Sequence, residues 1–124
     1  MDKSALILPG ERLDDLLVNG LYIIQHPDVF RFGCDAVELA DFVTGGSRDY
    51  ACDLGSGSGI IAILLAGKKG IKTTAVEIQE KMADMSRRSV EYNGLSDKIE
   101  VVNMPMQDFI SPETVGKYSI VVCN

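Results

Sequence analysis

The sequence predicts an α/β fold built on a parallel sheet, and three observations predict it. Short apolar or β-branched runs alternate with segments of helical period. Glycines punctuate the junctions, at 55, 57 and 59, at 67 and 70, and at 94. Each apolar run ends in polar or acidic residues: Asp53, then Glu77, then the region around Gln107-Asp108, and last Asn124. Parallel strands joined by right-handed helical crossovers satisfy this alternation, and ligands in such sheets bind beyond the carboxyl ends of the strands. The chemistry is therefore expected at those four strand ends.

The elements follow in order. Residues 10–17 (Gly10-Glu11-Arg12-Leu13-Asp14-Asp15-Leu16-Leu17) read as a short helix closed near Gly20. Residues 21–24 and 29–32 flank His26-Pro27-Asp28, a hairpin signal with proline in the turn. Asp35 reads as the cap of a helix through Ala36, Val37, Leu39, Ala40 and Val43, ended by Gly45-Gly46. Tyr50-Ala51-Cys52 begins the first central strand, and a helix starts near Gly59 and stops at Gly67 or Gly70. Residues 73–76 are β-branched and short, a strand. Residues 79–93 carry Met82, Met85, Ser86, Ser89 and Val90 at helical spacing and stop at Asn93-Gly94. Residues 99–102 and 118–123 supply the remaining strands, so residues 1–47 form a helix/hairpin/helix extension ahead of the unit 48–124.

The residues around the first glycines specify a ligand. Asp53-Leu54-Gly55-Ser56-Gly57-Ser58-Gly59 places a carboxylate, three glycines and a helix start within seven residues. Glycine lets backbone approach a ligand closely. The helix start offers free N–H groups and a positive dipole end to an anion. A ligand held by both the carboxylate and the amides carries both signs of charge, and S-adenosylmethionine does, with a carboxylate, an ammonium and a sulfonium. Gly57-Ser58-Gly59-Ile60-Ile61-Ala62 also fits the glycine pattern of dinucleotide loops, but a pyrophosphate there would face the Asp53 carboxylate. A plain glycine turn without ligand is the third reading.

Glu77 follows the loop by about the distance at which dinucleotide folds place the acid that grips ribose, a role that transfers to any adenosine ligand. Asp108 is a candidate acceptor for an adenine amino group, or else the N-cap of the turn through Phe109-Ile110. Ile78 is a candidate adenine packing residue, or else plain core.

Composition bounds the rest. A chain of 124 residues with 46% hydrophobic side chains makes one domain at most. Cys34, Cys52 and Cys123 show neither C-x-x-C nor zinc spacing, so no metal and no disulfide framework is expected. No apolar run approaches the roughly 20 residues that span a bilayer, and Met1-Asp2-Lys3 lacks a signal-peptide layout, which makes the cytoplasm the expected location. The net charge of −6 resides in residues 1–62, with ten acidic and four basic side chains; residues 63–124 balance at eight and eight. Neither half carries the basic stripe of a nucleic-acid surface. His26 reads as a turn residue, Phe30, Phe32 and Phe42 as core, and Arg87-Arg88 as solvated. Cys52 and Cys123 are expected on adjacent strands without a disulfide.

Taken together, the 53–59 run, Val76-Glu77-Ile78-Gln79-Glu80, Ser89-Val90-Glu91-Tyr92-Asn93 and Val121-Val122-Cys123-Asn124 resemble class I methyltransferases that use S-adenosylmethionine. Glu11-Arg12-Leu13-Asp14-Asp15-Leu16, Ile23-Ile24-Gln25 and Val29-Phe30-Arg31-Phe32-Gly33-Cys34-Asp35-Ala36-Val37 resemble the bacterial valine-tRNA adenine-N6 methyltransferases in particular. The resemblance runs from about residue 9 to the end. It implies a Rossmann-like fold, of which 48–124 is the cofactor-binding half and whose sheet is cut after the fourth central strand. It implies S-adenosylmethionine as cofactor and tRNA as partner. Asp53, Gly55, Gly57 and Gly59 then serve the methionine end, Glu77 the ribose, and Ile78 and Asp108 the adenine.

That family closes the fourth strand with Asn-Pro-Pro-Tyr; this sequence supplies Asn124 and stops, which reads as a fragment, inactive alone. The exocyclic adenine nitrogen is a poor nucleophile because its lone pair is delocalised. The Asn124 carbonyl and a following backbone carbonyl would accept its two N–H bonds and align the lone pair. A base must be unstacked to reach such a site, and a loop nucleotide loses least. The same logic serves another amino or amide nitrogen, such as a protein glutamine. A cofactor-binding module without turnover is a further alternative.

Overall fold

A computed structural model describes residues 2–28 and 33–124 of the chain. Its N-terminal part departs from the sequence expectation. Residues 10–17 do not form a helix: Arg12–Asp15 is a strand, β1, paired antiparallel with β2 (Tyr22–Gln25), Asp15 opposite Tyr22 and Arg12 opposite Gln25. Leu13, Leu16 and Leu17 mimic a helical period, but Ile23 and Ile24 of β2 are wholly buried and give β1 an edge to pair with. Asn19 and Gly20, both at positive φ, turn the chain between the two strands, and the Asp15 carboxylate accepts the Leu17 amide at 2.8 Å. The hairpin thus lies upstream of the one expected, whose second strand, 29–32, falls outside the described residues together with Phe30 and Phe32.

Helix α1 (Cys34–Phe42) is capped by the Gly33 backbone, so Asp35 sits in its first turn and is not the cap. It ends before Gly45 because Lys69 Nζ donates to the carbonyls of Ala40 (2.7 Å), Asp41 (2.9 Å) and Val43, a cation closing the negative end of the helix. Phe42 is 82% exposed and does not join the core.

Four parallel strands follow: β3 (Tyr50–Leu54), β4 (Lys72–Glu77), β5 (Ile99–Asn103) and β6 (Ile120–Cys123), in the order β5-β4-β3-β6. The joining helices are α2 (Ile60–Lys69), α3 (Glu80–Tyr92) and the short α4 (Met106–Phe109). The register sets Ala51 beside Thr73 and Ile120, and Asp53 beside Ala75 and Val122. Ala51, Ala75, Val122 and Ile99 join the apolar cluster with α1 and α2. In α2 residues 60–66 are all buried, and the helix passes through Gly67, where a Cβ would lie 2.5 Å from Leu21. Gly70, left-handed at φ 70°, ends it.

Helix α3 completes the hairpin. Its Ser89 hydroxyl accepts the Ile24 amide at 2.9 Å, and Asn93 exchanges hydrogen bonds with the Tyr22 backbone (2.8 and 2.7 Å), which satisfies an otherwise open strand edge. Arg88 is not solvated, contrary to expectation. Its guanidinium donates to the Leu6 carbonyl (2.7 Å), to Glu11 (2.7 Å) and to Asp84 (3.0 Å), pinning the N-terminal segment to the helix. Cys52 and Cys123 lie on adjacent strands and are free thiols; burial, with the Asp53 charge, pushes the Cys52 thiol up to about 11.

Candidate functional site

The loop after β3 is strapped to β4. The amides of Gly55 and Ser56 both donate to the Val76 carbonyl (2.9 and 3.0 Å), and the Gly57 amide donates to Glu77 Oε1 at 2.7 Å. Glu77 Oε2 accepts the Gln79 amide at 2.9 Å, so one buried carboxylate ties the glycine loop to the start of α3. Gly59 is the N-cap of α2 with φ 93°, and a Cβ on it would stand 2.4 Å from Ser86 Oγ. Both the backbone conformation and the close approach of α3 demand glycine there.

Above this loop lies a cavity of about 400 Å³ whose lining includes Gly55, Ser56, Gly57, Ser58, Glu77, Gln79, Met82, Asp35 and Asn124. Among the described residues that line it there are two carboxylates, Asp35 and Glu77, and no Lys, Arg or His. The cavity suits a cation better than a phosphate.

Asp53 sits behind the loop, 1% exposed, on the sheet face between Ala75 and Val122. Neither carboxylate oxygen has a hydrogen-bond partner among the described residues. Burial, and secondarily the Glu77 charge, pushes its carboxyl up to about 7.

The structure thus brings Gly55, Gly57, Glu77 and Asn124 to one cavity, with Gly59 at the adjoining helix start and Asp53 buried next to the loop. It does not bring Ile78 or Asp108 into the lining. Ile78 is 62% exposed, so it is not plain core either. Asp108 is exposed in the first turn of α4, whose cap is Pro105, so it is not the N-cap. The sequence reading does not single out Asp35, Ser56, Ser58, Gln79 and Met82 as lining residues. The two serines lie inside the glycine motif and Gln79 two residues past Glu77, so proximity to the motif is the available signal.

A sequence profile of the methyltransferase domain matches residues 51–124, more than half of the chain. The tRNA1(Val) (adenine(37)-N6)-methyltransferase of Pseudoalteromonas atlantica is 26% identical over 112 residues, covering 83% of this chain and 43% of that protein. The protein of the same name from Bacteroides thetaiotaomicron is 29% identical over 96 residues, covering 76% and 39%. The chain spans less than half the length of these two relatives. Among solved structures, an RNA methyltransferase from Salinibacter ruber in complex with S-adenosyl-L-homocysteine superposes with a TM-score of 0.58 at 26% identity, covering 73% of this chain and 54% of that one. The TYW2 protein of Pyrococcus horikoshii, at 17% identity and a TM-score of 0.69 over 84% of this chain and 39% of that one, shares the fold. The parallel sheet, the strapped glycine loop and the match over residues 51–124 agree, and the chain belongs to the methyltransferase domain family.

Proposed function

We propose that this chain is the cofactor-binding part of an S-adenosylmethionine-dependent methyltransferase that modifies adenine N6 in a tRNA. The observation that carries the cofactor is Asp53, a buried carboxylate without a donor among the described residues, beside a cavity that adds two more carboxylates. Such a group gains most from a ligand that brings N–H donors on a cation, as the ammonium of the methionine end does. A pyrophosphate would instead meet Asp35 and Glu77, which counts against a dinucleotide.

In this reading Asp53, Gly55, Gly57 and Gly59 hold the methionine end. Glu77 accepts the ribose hydroxyls with the lone pairs left over from the Gly57 and Gln79 amides, and the adenine is assigned to Ile78 and Asp108, which lie outside the cavity lining. When bound, the cofactor supplies an electrophilic methyl group on its sulfonium. Asn124, at the cavity, accepts an N–H of the substrate amino group through its side-chain carbonyl and aligns the nitrogen lone pair. Residues 48–124 hold the cofactor, and the extension 1–47 carries Asp35 to the cavity wall. The tRNA substrate is supported by the names of relatives at 26 and 29% identity, and a cytoplasmic location goes with it in this reading. No described helix is long and apolar enough to cross a membrane.

A second reading, transfer to a nitrogen on a protein, is favoured by the ribosomal protein L11 methyltransferase of Desulforamulus reducens, 26% identical over 113 residues and covering 86% of this chain and 35% of that protein. Calorimetric titration of S-adenosylhomocysteine into the chain tests the cofactor; binding is expected, and its absence would sink the proposal. Transfer of a labelled methyl group by the full-length protein tests the substrate. Label in unmodified tRNA, at adenine, is the expected result; label only in ribosomal protein would move the assignment to the second reading.

A further inference from the structure

The backbone that carries Glu77 is held by the strand end beside it. Asn103, the last residue of β5, pairs in register with Glu77 and reaches across it. Its amide nitrogen donates to the Glu77 carbonyl at 2.9 Å and to the Ile78 carbonyl at 3.1 Å. The Met104 amide also donates to the Glu77 carbonyl, at 3.1 Å. The chain needs such an anchor here. It leaves the sheet after Glu77 and enters α3 at Gln79, an N-cap that makes no side-chain capping bond of its own. The carbonyls of residues 77 and 78 are fixed on both sides of Ile78, which sets the two peptide planes between Glu77 and Gln79. Those planes decide where the Glu77 carboxylate and the exposed Ile78 side chain point.

We propose that Asn103 is a positioning residue for the ribose of the cofactor, acting through Glu77. This rests on the reading of Glu77 as the ribose acceptor. A carboxylate that already accepts two backbone amides has few lone pairs left, and they serve a ribose only in one orientation. Without the Asn103 side-chain amide the Glu77 carbonyl keeps the Met104 bond alone and the Ile78 carbonyl is released, so the Glu77 carboxylate, still held by the Gly57 and Gln79 amides, loses the fixed backbone that aims it at the ligand.

The test is a coupling measurement with two probes, S-adenosylhomocysteine and its 2′,3′-dideoxyribose analogue. In the wild type, loss of both hydroxyls should weaken binding about tenfold, the scale of a hydrogen bond to a charged acceptor. Asn103→Ala should weaken S-adenosylhomocysteine about tenfold and leave the dideoxy analogue within about twofold of its wild-type affinity, so that the penalty for the missing hydroxyls disappears. Asn103→Leu keeps the approximate volume and removes both donors without adding a charge; it should behave like the alanine variant and serves should that variant fold poorly. Equal losses for both probes, or no loss for either, would overturn the proposal, because a residue that only stabilises the fold cannot tell the two ligands apart. A wild type that binds S-adenosylhomocysteine but shows no dideoxy penalty removes the ribose role of Glu77 and this inference with it. A wild type that binds neither probe removes the cofactor assignment itself.

Discussion

Asp53 and Glu77 lie at the carboxyl ends of neighbouring parallel strands and share the local donors unequally: among the described residues Glu77 takes the Gly57 and Gln79 amides, and Asp53 takes none. Two carboxylates in one dry corner disfavour each other's charge, and the one without donors gives way. A proton retained on Asp53 would take the place of a cation in the ligand-free protein.

This has a sign in stability. Asp53 is raised from an ordinary 3.8 to about 7. Below about pH 4 it is neutral folded and unfolded. Between about 4 and 7 the unfolded chain releases the proton and the folded chain keeps it, so stability falls as pH rises, by up to roughly 4 kcal/mol, and the full loss is in place above 7. Asp53→Asn should remove this slope, be the more stable protein at pH 8, and lose S-adenosylhomocysteine binding. Urea midpoints of both proteins at pH 5 and pH 8 check it; parallel pH dependences would count against a raised Asp53.

Glu77→Ala should weaken cofactor binding more than tenfold in the full-length protein, since it removes the ribose acceptor and frees the Gly57 amide together. An unchanged dissociation constant would refute the assignment.

Gly59→Ala should cost about 2–4 kcal/mol, combining a left-handed alanine with a methyl group pressed on Ser86 Oγ. Adding Ser86→Ala should recover the steric part and leave the backbone part. Chemical denaturation of the single and double variants separates the two.

Arg88→Ala should cost about 3 kcal/mol, because the Glu11 side chain, 4% exposed, keeps the Leu8 amide but loses its counter-charge. Combining Arg88→Met with Glu11→Leu, which removes both charges and keeps apolar volume, is expected to restore most of the loss, measured by the same denaturation.

Asn124→Ala in the full-length protein should leave S-adenosylhomocysteine affinity unchanged and abolish methyl transfer. Loss of both together would mean that Asn124 holds the strand end and does not touch the substrate.

What was legible in the sequence was local. Asp53 to Gly59 declares its loop because each glycine answers a backbone requirement, and Met82, Met85, Ser86, Ser89 and Val90 declare the buried face of α3 because their period survives tertiary packing. What failed depended on partners far along the chain. Residues 10–17 have helical spacing, yet a strand wins because β2 offers an edge and α3 holds the far side of β2 through Ser89 and Asn93. The Asn19-Gly20 pair was a turn signal in plain view. Arg88 looked solvated because its partner Glu11 is 77 residues away. At the cavity, Glu77 and the glycines were readable from the motif; Asp35 was not, since its place depends on how α1 packs on α2.

The Val76 carbonyl, which accepts two amides of the glycine loop, gives the site a dependence on alignment between strands. A shift of β4 by two residues would keep every side chain on its own face of the sheet and so preserve the alternation of the core. It would also carry Val76 and Glu77 away from Leu54 and leave the loop without its strap. Core patterning alone therefore tolerates misthreaded sheets that have no ligand cavity. Ligand occupancy does not, and a bound cofactor would act as a proofreader of strand alignment during folding.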